Sequence, residues 1–223
     1  IGLWIYDTLA LFRSPKRHKT YRGDKARELE PQLSSEDLRG ALEYYDCITD
    51  DARLVLENII AAEEVGAKCH NYAEVTELER DDDGRVCAVR VKDALDGSER
   101  VVPTRCLIVA AGPWSDALVE KLGIDLGRKR LLRPTKGVHV VFKRDKLPLD
   151  HAITLMSPVD GRVMSASPWR GRTVIGTTDT DYEGRPEDCH ADAADVEYLC
   201  ASANRYFPAA DFTPNDVIAT WSG

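Results

Sequence analysis

Apolar positions recur along this chain first at helical spacing and then, increasingly, at the two-residue spacing of strands. From Ala52 the residues Val55, Leu56, Ile59 and Ala62 form a stripe of period near 3.6. Asp50 and Asp51 stand before it, where the helix dipole favours acids, and Gly66 follows as a stop, so a helix is predicted over 51–65. The most apolar stretch, Ile1 to Phe12, contains Asp7 and predicts a buried amphipathic helix. With the basic run Arg13, Lys16, Arg17, His18 and Lys19 behind it, contact with a membrane surface is a second reading of that segment. His18 and Lys19 themselves read as solvated loop. A third helix is predicted over Asp192–Tyr206, with Ala193, Val196 and Leu199 on one face.

Strands are predicted at Tyr72–Leu78, Val86–Val91, Val101–Val102 and Leu107–Ala110, and again at Gly137–Phe142, Ala152–Met156, Arg162–Ala166, Thr173–Thr177 and Val217–Trp221. Turn signals separate them at Asp81–Gly84, Asp96-Gly97, Pro158–Gly161 and Arg170-Gly171. Many strands with few helices argue for an α+β fold and against a regular series of βαβ units.

Composition narrows the function classes. A chain of 223 residues makes one large domain or two small ones. The net charge of -8 argues against nucleic-acid binding, though it leaves room for a local basic pocket. No apolar run reaches the roughly 20 residues of a membrane span. The six cysteines are scattered singly, without metal-ligand spacing, and read as reduced thiols of a cytoplasmic protein, several of them on buried strands. Neither Ile1 nor Gly223 reads as a natural terminus, so the sequence is expected to be an internal fragment.

Two places suggest chemistry. In Leu107–Ser115 (LIVAAGPWS) an apolar run meets three small residues and a helix start. Small residues let a flat ligand or another backbone approach closely, and a tight packing turn without a ligand reads the same way. His139 lies in a β-branched run, where a lone histidine is usually a hydrogen-bonded core residue.

The LIVAAGPWS run resembles the second flavin-contacting strand of the amino-acid-oxidase-like flavoproteins. Further motifs are similar, in the same order, to the FAD-dependent glycerol-3-phosphate dehydrogenases. They are Tyr44-Tyr45-Asp46-Cys47 leading into Asp50–Leu56, Arg133–His139, Pro168-Trp169 with Gly171-Arg172, Ile175–Tyr182 and Thr220–Gly223. The resemblance implies a mixed, largely antiparallel substrate-binding sheet with flanking helices, plus a β-meander belonging to an FAD-binding domain. Residues 1–70 would start the substrate domain and include the long helix. Residues 71–125 would be the middle of the FAD-binding domain, and 126–223 the substrate-binding sheet.

The resemblance also implies the chemistry: oxidation of sn-glycerol 3-phosphate to dihydroxyacetone phosphate by hydride transfer to FAD, with a quinone as electron acceptor. His139 would serve as base or as hydrogen-bond donor to the substrate. Lys136, Thr178 and Asp179 would bind substrate, while Val75, Ala110, Ala111, Gly112 and Trp114 would touch FAD. Peripheral attachment to the inner face of the cytoplasmic membrane and a homodimer belong to the same expectation. An oxidase that hands electrons to oxygen is the alternative, as is an amino-acid or amine oxidase; a third reading is an isolated substrate domain without activity. The departures are equally specific: no G-x-G-x-x-G occurs, and the arginine expected just after Gly223 to bind the substrate phosphate is absent.

Overall fold

A computed structural model describes residues 2–11, 13–127 and 130–223. The chain divides into two compact units, Ile1–Asp46 with Pro134–Gly223, and Cys47–Arg133. The first unit opens with helix α1 (Gly2–Leu9), strand β1 (Lys19–Arg22), helix α2 (Gly23–Leu29) and strand β2 (Gly40–Glu43). The second holds helix α3 (Asp51–Glu64), strands β3 (Ala73–Arg80), β4 (Val86–Asp93) and β5 (Glu99–Pro103), and helix α4 (Ser115–Lys121). The chain then completes the first unit with β6 (Thr135–Lys136), β7 (Val138–Lys143), β8 (Ile153–Met156), β9 (Val163–Trp169), β10 (Arg172–Gly176), β11 (Thr180–Asp181), helix α5 (Ala193–Tyr206) and β12 (Ala219–Ser222).

The main sheet is antiparallel with the order β12-β7-β10-β9-β8. Alternation along β7 decides its two faces. Val138, Val140 and Phe142 are fully buried in the core, together with Ile175 of β10 and Leu199 and Ala203 of α5. Phe142 lies against Phe212 with ring centroids 4.4 Å apart. Burying a side chain of this size contributes about 2 kcal/mol. The same alternation turns His139 to the opposite face of the sheet. Helix α5 starts where predicted, because Asp192 accepts from the Asp195 backbone N–H at 3.0 Å while Asp195 accepts from that of Asp192 at 3.0 Å.

In the second unit β3, β4 and β5 form the expected meander, with turns at Gly84 (φ +77) and Gly97 (φ +76) in the left-handed region that favours glycine. Helix α3 belongs to this unit, whereas the sequence reading grouped it with the segment before it. Its N-cap Asp50 accepts from the Arg53 backbone N–H at 3.2 Å. Asp50→Ala is expected to cost about 1 kcal/mol, read as a lower denaturant midpoint with an unchanged slope. The apolar stripe of α3 is exposed from Ala52 to Ile59, and no residue of the helix is buried.

Several expectations are corrected. Residues 107–110 are not a strand. Among the described residues neither the N–H nor the C=O groups of this run find a partner, and a strand exists only by pairing. Helix α1 buries its acid instead of its apolar face: Asp7 is 2% exposed, while Trp4, Ile5 and Leu9 are exposed. The reason is a polar anchor. Asp7 Oδ2 lies 2.7 Å from His18 Nδ1, and the Trp4 ring meets the His18 ring edge-on. His18 is therefore a packed residue and not solvated loop. Ile1 and Phe12, the ends of that predicted segment, lie outside the described residues. Of the cysteines, Cys200 is buried, on α5 and not on a strand; Cys47, Cys69, Cys87 and Cys106 are exposed. Among the described residues no helix is long and apolar enough to cross a membrane, and no group of His, Cys, Asp and Glu could hold a metal.

Candidate active site

Strand β7 lies between β10 and β12, and its register sets His139 opposite Gly176 on one side and Trp221 on the other. The imidazole and the Trp221 ring stack, with centroids 5.3 Å apart and planes 18° from parallel. On the other flank the imidazole lies over the Gly176 backbone. A Cβ at position 176 would collide with the ring, standing 2.7 Å from its Cγ. The imidazole makes no hydrogen bond among the described residues, so His139 is not the bonded core histidine that its strand setting suggests. Burial pushes its pKa below the ordinary 6.5, and no charged neighbour contributes. Near neutral pH it is therefore an uncharged ring with unspent nitrogens, able to accept a proton.

The other substrate candidates surround this strand in different roles. Lys136 does not present its charge to solvent. Its Nζ donates to Asp195 Oδ2 at 2.6 Å, to Asp192 Oδ2 at 2.8 Å and to the His190 carbonyl at 3.5 Å. The bonds to Asp192 and then Asp195 push its pKa up to about 12. Lys136 thus ties β6 to the capping box of α5, and its three donors are spent before any phosphate arrives. Thr178 is buried and also committed: its Oγ1 accepts from the Val138 N–H at 3.0 Å and donates to the Lys136 carbonyl at 3.4 Å. Asp179 is exposed, with Arg162 Nη1 3.4 Å from its Oδ2. Gly137 has no room for a side chain, since a Cβ would stand 2.8 Å from Thr177 Oγ1, and its backbone exchanges two hydrogen bonds with Gly223.

The flavin candidates all lie in the second unit. Ala110, Ala111 and Gly112 follow one another on the unpaired run and lead into the single turn Gly112–Trp114. At Ala110, Ala111 and Gly112 no side chain exceeds a methyl group, the N–H groups of 107–110 have no partner among the described residues, and Trp114 is exposed. Such a stretch fits the edge of a flavin dinucleotide, which needs close backbone approach and N–H donors for its anionic oxygens. Val75 sits on β3, an edge strand of the meander, so among the described residues one side of that strand carries no neighbouring strand. These residues fit one side of the cofactor; the glycine-rich loop for the other side is absent from the sequence.

Gly176 and Trp221 were each visible within a motif, but nothing local linked them to His139. Only the strand order joins them, and a register spanning three strands leaves no short-range signal.

A histidine slot on an antiparallel sheet, in a chain that also carries a small-residue edge suited to a dinucleotide, is what a two-part flavoprotein needs. The sequence matches the FAD dependent oxidoreductase family over residues 6–223, and the chain belongs to that family. Within it, the chain is 35% identical over its whole length to the aerobic glycerol-3-phosphate dehydrogenase of Bacillus subtilis, covering 40% of that protein. It is 34% identical, again throughout, to the alpha-glycerophosphate oxidase of Streptococcus pyogenes, covering 37% of it. The glycerol-3-phosphate dehydrogenase from Bacillus halodurans, solved in complex with FAD, superimposes with a TM-score of 0.80 at 35% identity, over 92% of this chain and 40% of that one. The chain thus spans about two fifths of the length of these relatives.

Proposed function

We propose that this chain supplies the substrate-binding sheet and part of the flavin-binding domain of an enzyme that oxidises sn-glycerol 3-phosphate to dihydroxyacetone phosphate. The observation that carries the reading is the unbonded, desolvated His139 in a chain similar throughout to enzymes named for this substrate. FAD, held along Ala110, Ala111 and Gly112, would supply the redox chemistry as acceptor of a hydride from C2 of the substrate, with a quinone as the onward electron acceptor. His139 accepts the proton of the C2 hydroxyl at a ring nitrogen, and its neutral state near pH 7 makes that transfer favourable. Asp179 reaches the substrate from the β10–β11 connection, and Thr178 fixes the wall behind it. Lys136 acts from below the site by holding β6. Ala110, Ala111, Gly112 and Trp114 hold the flavin edge, with Val75 at its adenine end. Transfer to quinone places the working protein at the inner face of the cytoplasmic membrane.

The oxidase reading is supported by the similarity to the Streptococcus pyogenes enzyme. One experiment tests the function and separates the two acceptors. The FAD-loaded protein is mixed with sn-glycerol 3-phosphate without air, and the visible flavin absorbance is followed. Bleaching by this substrate, and not by glycine or proline, is expected. Re-oxidation by a soluble quinone analogue and not by air is the dehydrogenase result, whereas rapid re-oxidation by air with release of hydrogen peroxide is the oxidase result. A flavin that binds but stays oxidised with the substrate overturns the assignment.

A further inference from the structure

The three strands around His139 build more than a location for it. We infer that Trp221 is a positioning residue, which clamps the His139 imidazole against the α-carbon of Gly176 and keeps water from its face. This rests on the proton-acceptor role proposed for His139, and it adds the device that makes the role workable.

Three independent observations converge. Registers β12–β7 and β7–β10 put Trp221, His139 and Gly176 in one cross-strand row, on the face away from the core. The two rings are close to parallel, 18° apart, so the indole covers one imidazole face and does not merely touch its edge. A Cβ at position 176 would stand 2.7 Å from Cγ and 2.9 Å from Nε2 of the ring. The imidazole is thus held on two faces by carbon, and among the described residues no hydrogen bond holds it by its nitrogens. In most histidine sites a hydrogen bond to one nitrogen fixes the ring and the tautomer. Here the plane is fixed by the slot, and both nitrogens remain available.

Among the described residues, the groups set beside the ring in this cross-strand row are uncharged. From β10 it meets Gly176, from β12 Trp221, and Ser165 of β9 follows in the same row, its hydroxyl donating to the Gly176 carbonyl at 3.3 Å. The basic residue nearest to it in sequence, Lys136 of β6, has its charge spent on Asp192 and Asp195. Burial is accordingly the cause that lowers the affinity of His139 for a proton. Removing the indole exposes the ring to water. Its pKa should then rise toward the ordinary 6.5, and the ring should gain freedom to rotate out of line.

The test uses the FAD-loaded protein and its Trp221→Ala and Trp221→Phe variants, with two readouts. The first is the pH titration of the His139 Cε1–H resonance, assigned by its loss in His139→Asn. The second is the pH profile of kcat/KM with sn-glycerol 3-phosphate. Trp221→Ala should move the His139 titration to higher pH and carry the acid limb of kcat/KM with it. It should lower kcat about tenfold or more, with a smaller change in KM. Trp221→Phe, which keeps an aromatic face, should restore most of both. An unchanged His139 titration in a folded Trp221→Ala protein, judged by its near-native melting and flavin content, overturns the clamp. Should the resonance move while the acid limb stays, the slot stands and the proton-acceptor role of His139 falls. If Trp221→Ala does not fold, Trp221→Phe and Trp221→Leu decide: equal titrations in these two would also overturn the clamp.

Discussion

His139→Asn is expected to lower kcat/KM for sn-glycerol 3-phosphate by about 10² to 10⁴, with flavin content and melting close to those of the unchanged protein. Asparagine is the apt replacement because it fills part of the slot between Gly176 and Trp221 yet cannot take up a proton. The sign of the accompanying pH effect follows from burial. The folded-state pKa of His139 is lowered from 6.5, so the active, neutral ring persists somewhat below that value and is lost as the pH falls further. The acid limb of kcat/KM should therefore lie below pH 6.5 in the unchanged protein and vanish in His139→Asn. Stability moves the same way. The unfolded imidazole binds its proton more tightly, so the contribution of this site is present above 6.5 and fades as the pH drops through the folded-state value. A His139→Asn protein within about threefold of full kcat/KM would remove His139 from the reaction, since general bases contribute far more than that.

Lys136→Met should act on stability and not first on substrate affinity. The substitution keeps much of the side-chain volume and removes the ammonium between Asp192 and Asp195. Asp195 is 7% exposed, and without its partner the carboxylate is left buried beside the first turn of α5. Breaking a buried pair from one side typically costs about 3 kcal/mol, visible as a lower denaturant midpoint. Lys136→Met with Asp195→Asn should recover part of the loss, because the stranded charge is then gone. The pair also has a pH window. Lys136, raised to about 12, contributes fully below 10.5 and loses its contribution as the pH climbs through its folded value. Asp192, held down to about 2 chiefly by Lys136, contributes above 3.8 and loses its contribution as the pH falls toward 2. Were Lys136 a phosphate ligand instead, Lys136→Met would raise KM strongly with melting unchanged, so the two roles give opposite patterns.

What could be read from the sequence was what short-range chemistry dictates. Helix α5 was legible because Ala193, Val196 and Leu199 repeat at helical spacing, and the structure adds the Asp192 cap. The meander was legible because Gly84 and Gly97 mark its turns. His139 stood out as the histidine on β7, and the family was legible from motifs in order. Contacts across long stretches of chain were not. Lys136 meets Asp192 and Asp195 at separations of 56 and 59 residues, so its apparent availability for a phosphate came from seeing it without those partners. Residues 107–110 looked like a strand because composition reports a preference, while pairing needs a neighbour. Helix α1 misled for a related reason: hydropathy predicts which face is apolar, and the Asp7–His18 pair decided which face is anchored.

The division of the chain has a consequence for its synthesis. Cys47–Arg133 is one continuous stretch, whereas the other unit is assembled from segments on either side of it. Glu30 reaches its partner His151 across 121 residues, and Arg205 reaches back to Glu36 across 169. On the ribosome, the meander of β3 to β5 can close as soon as it emerges. The earlier segment waits on the order of ten seconds, at ordinary elongation rates, for the residues that complete it. During that interval β1 and β2 can pair with each other, but the partners of Glu30 and Glu36 do not yet exist. Residues 1–46 are thus open to chaperones while residues 47–133 are already folded.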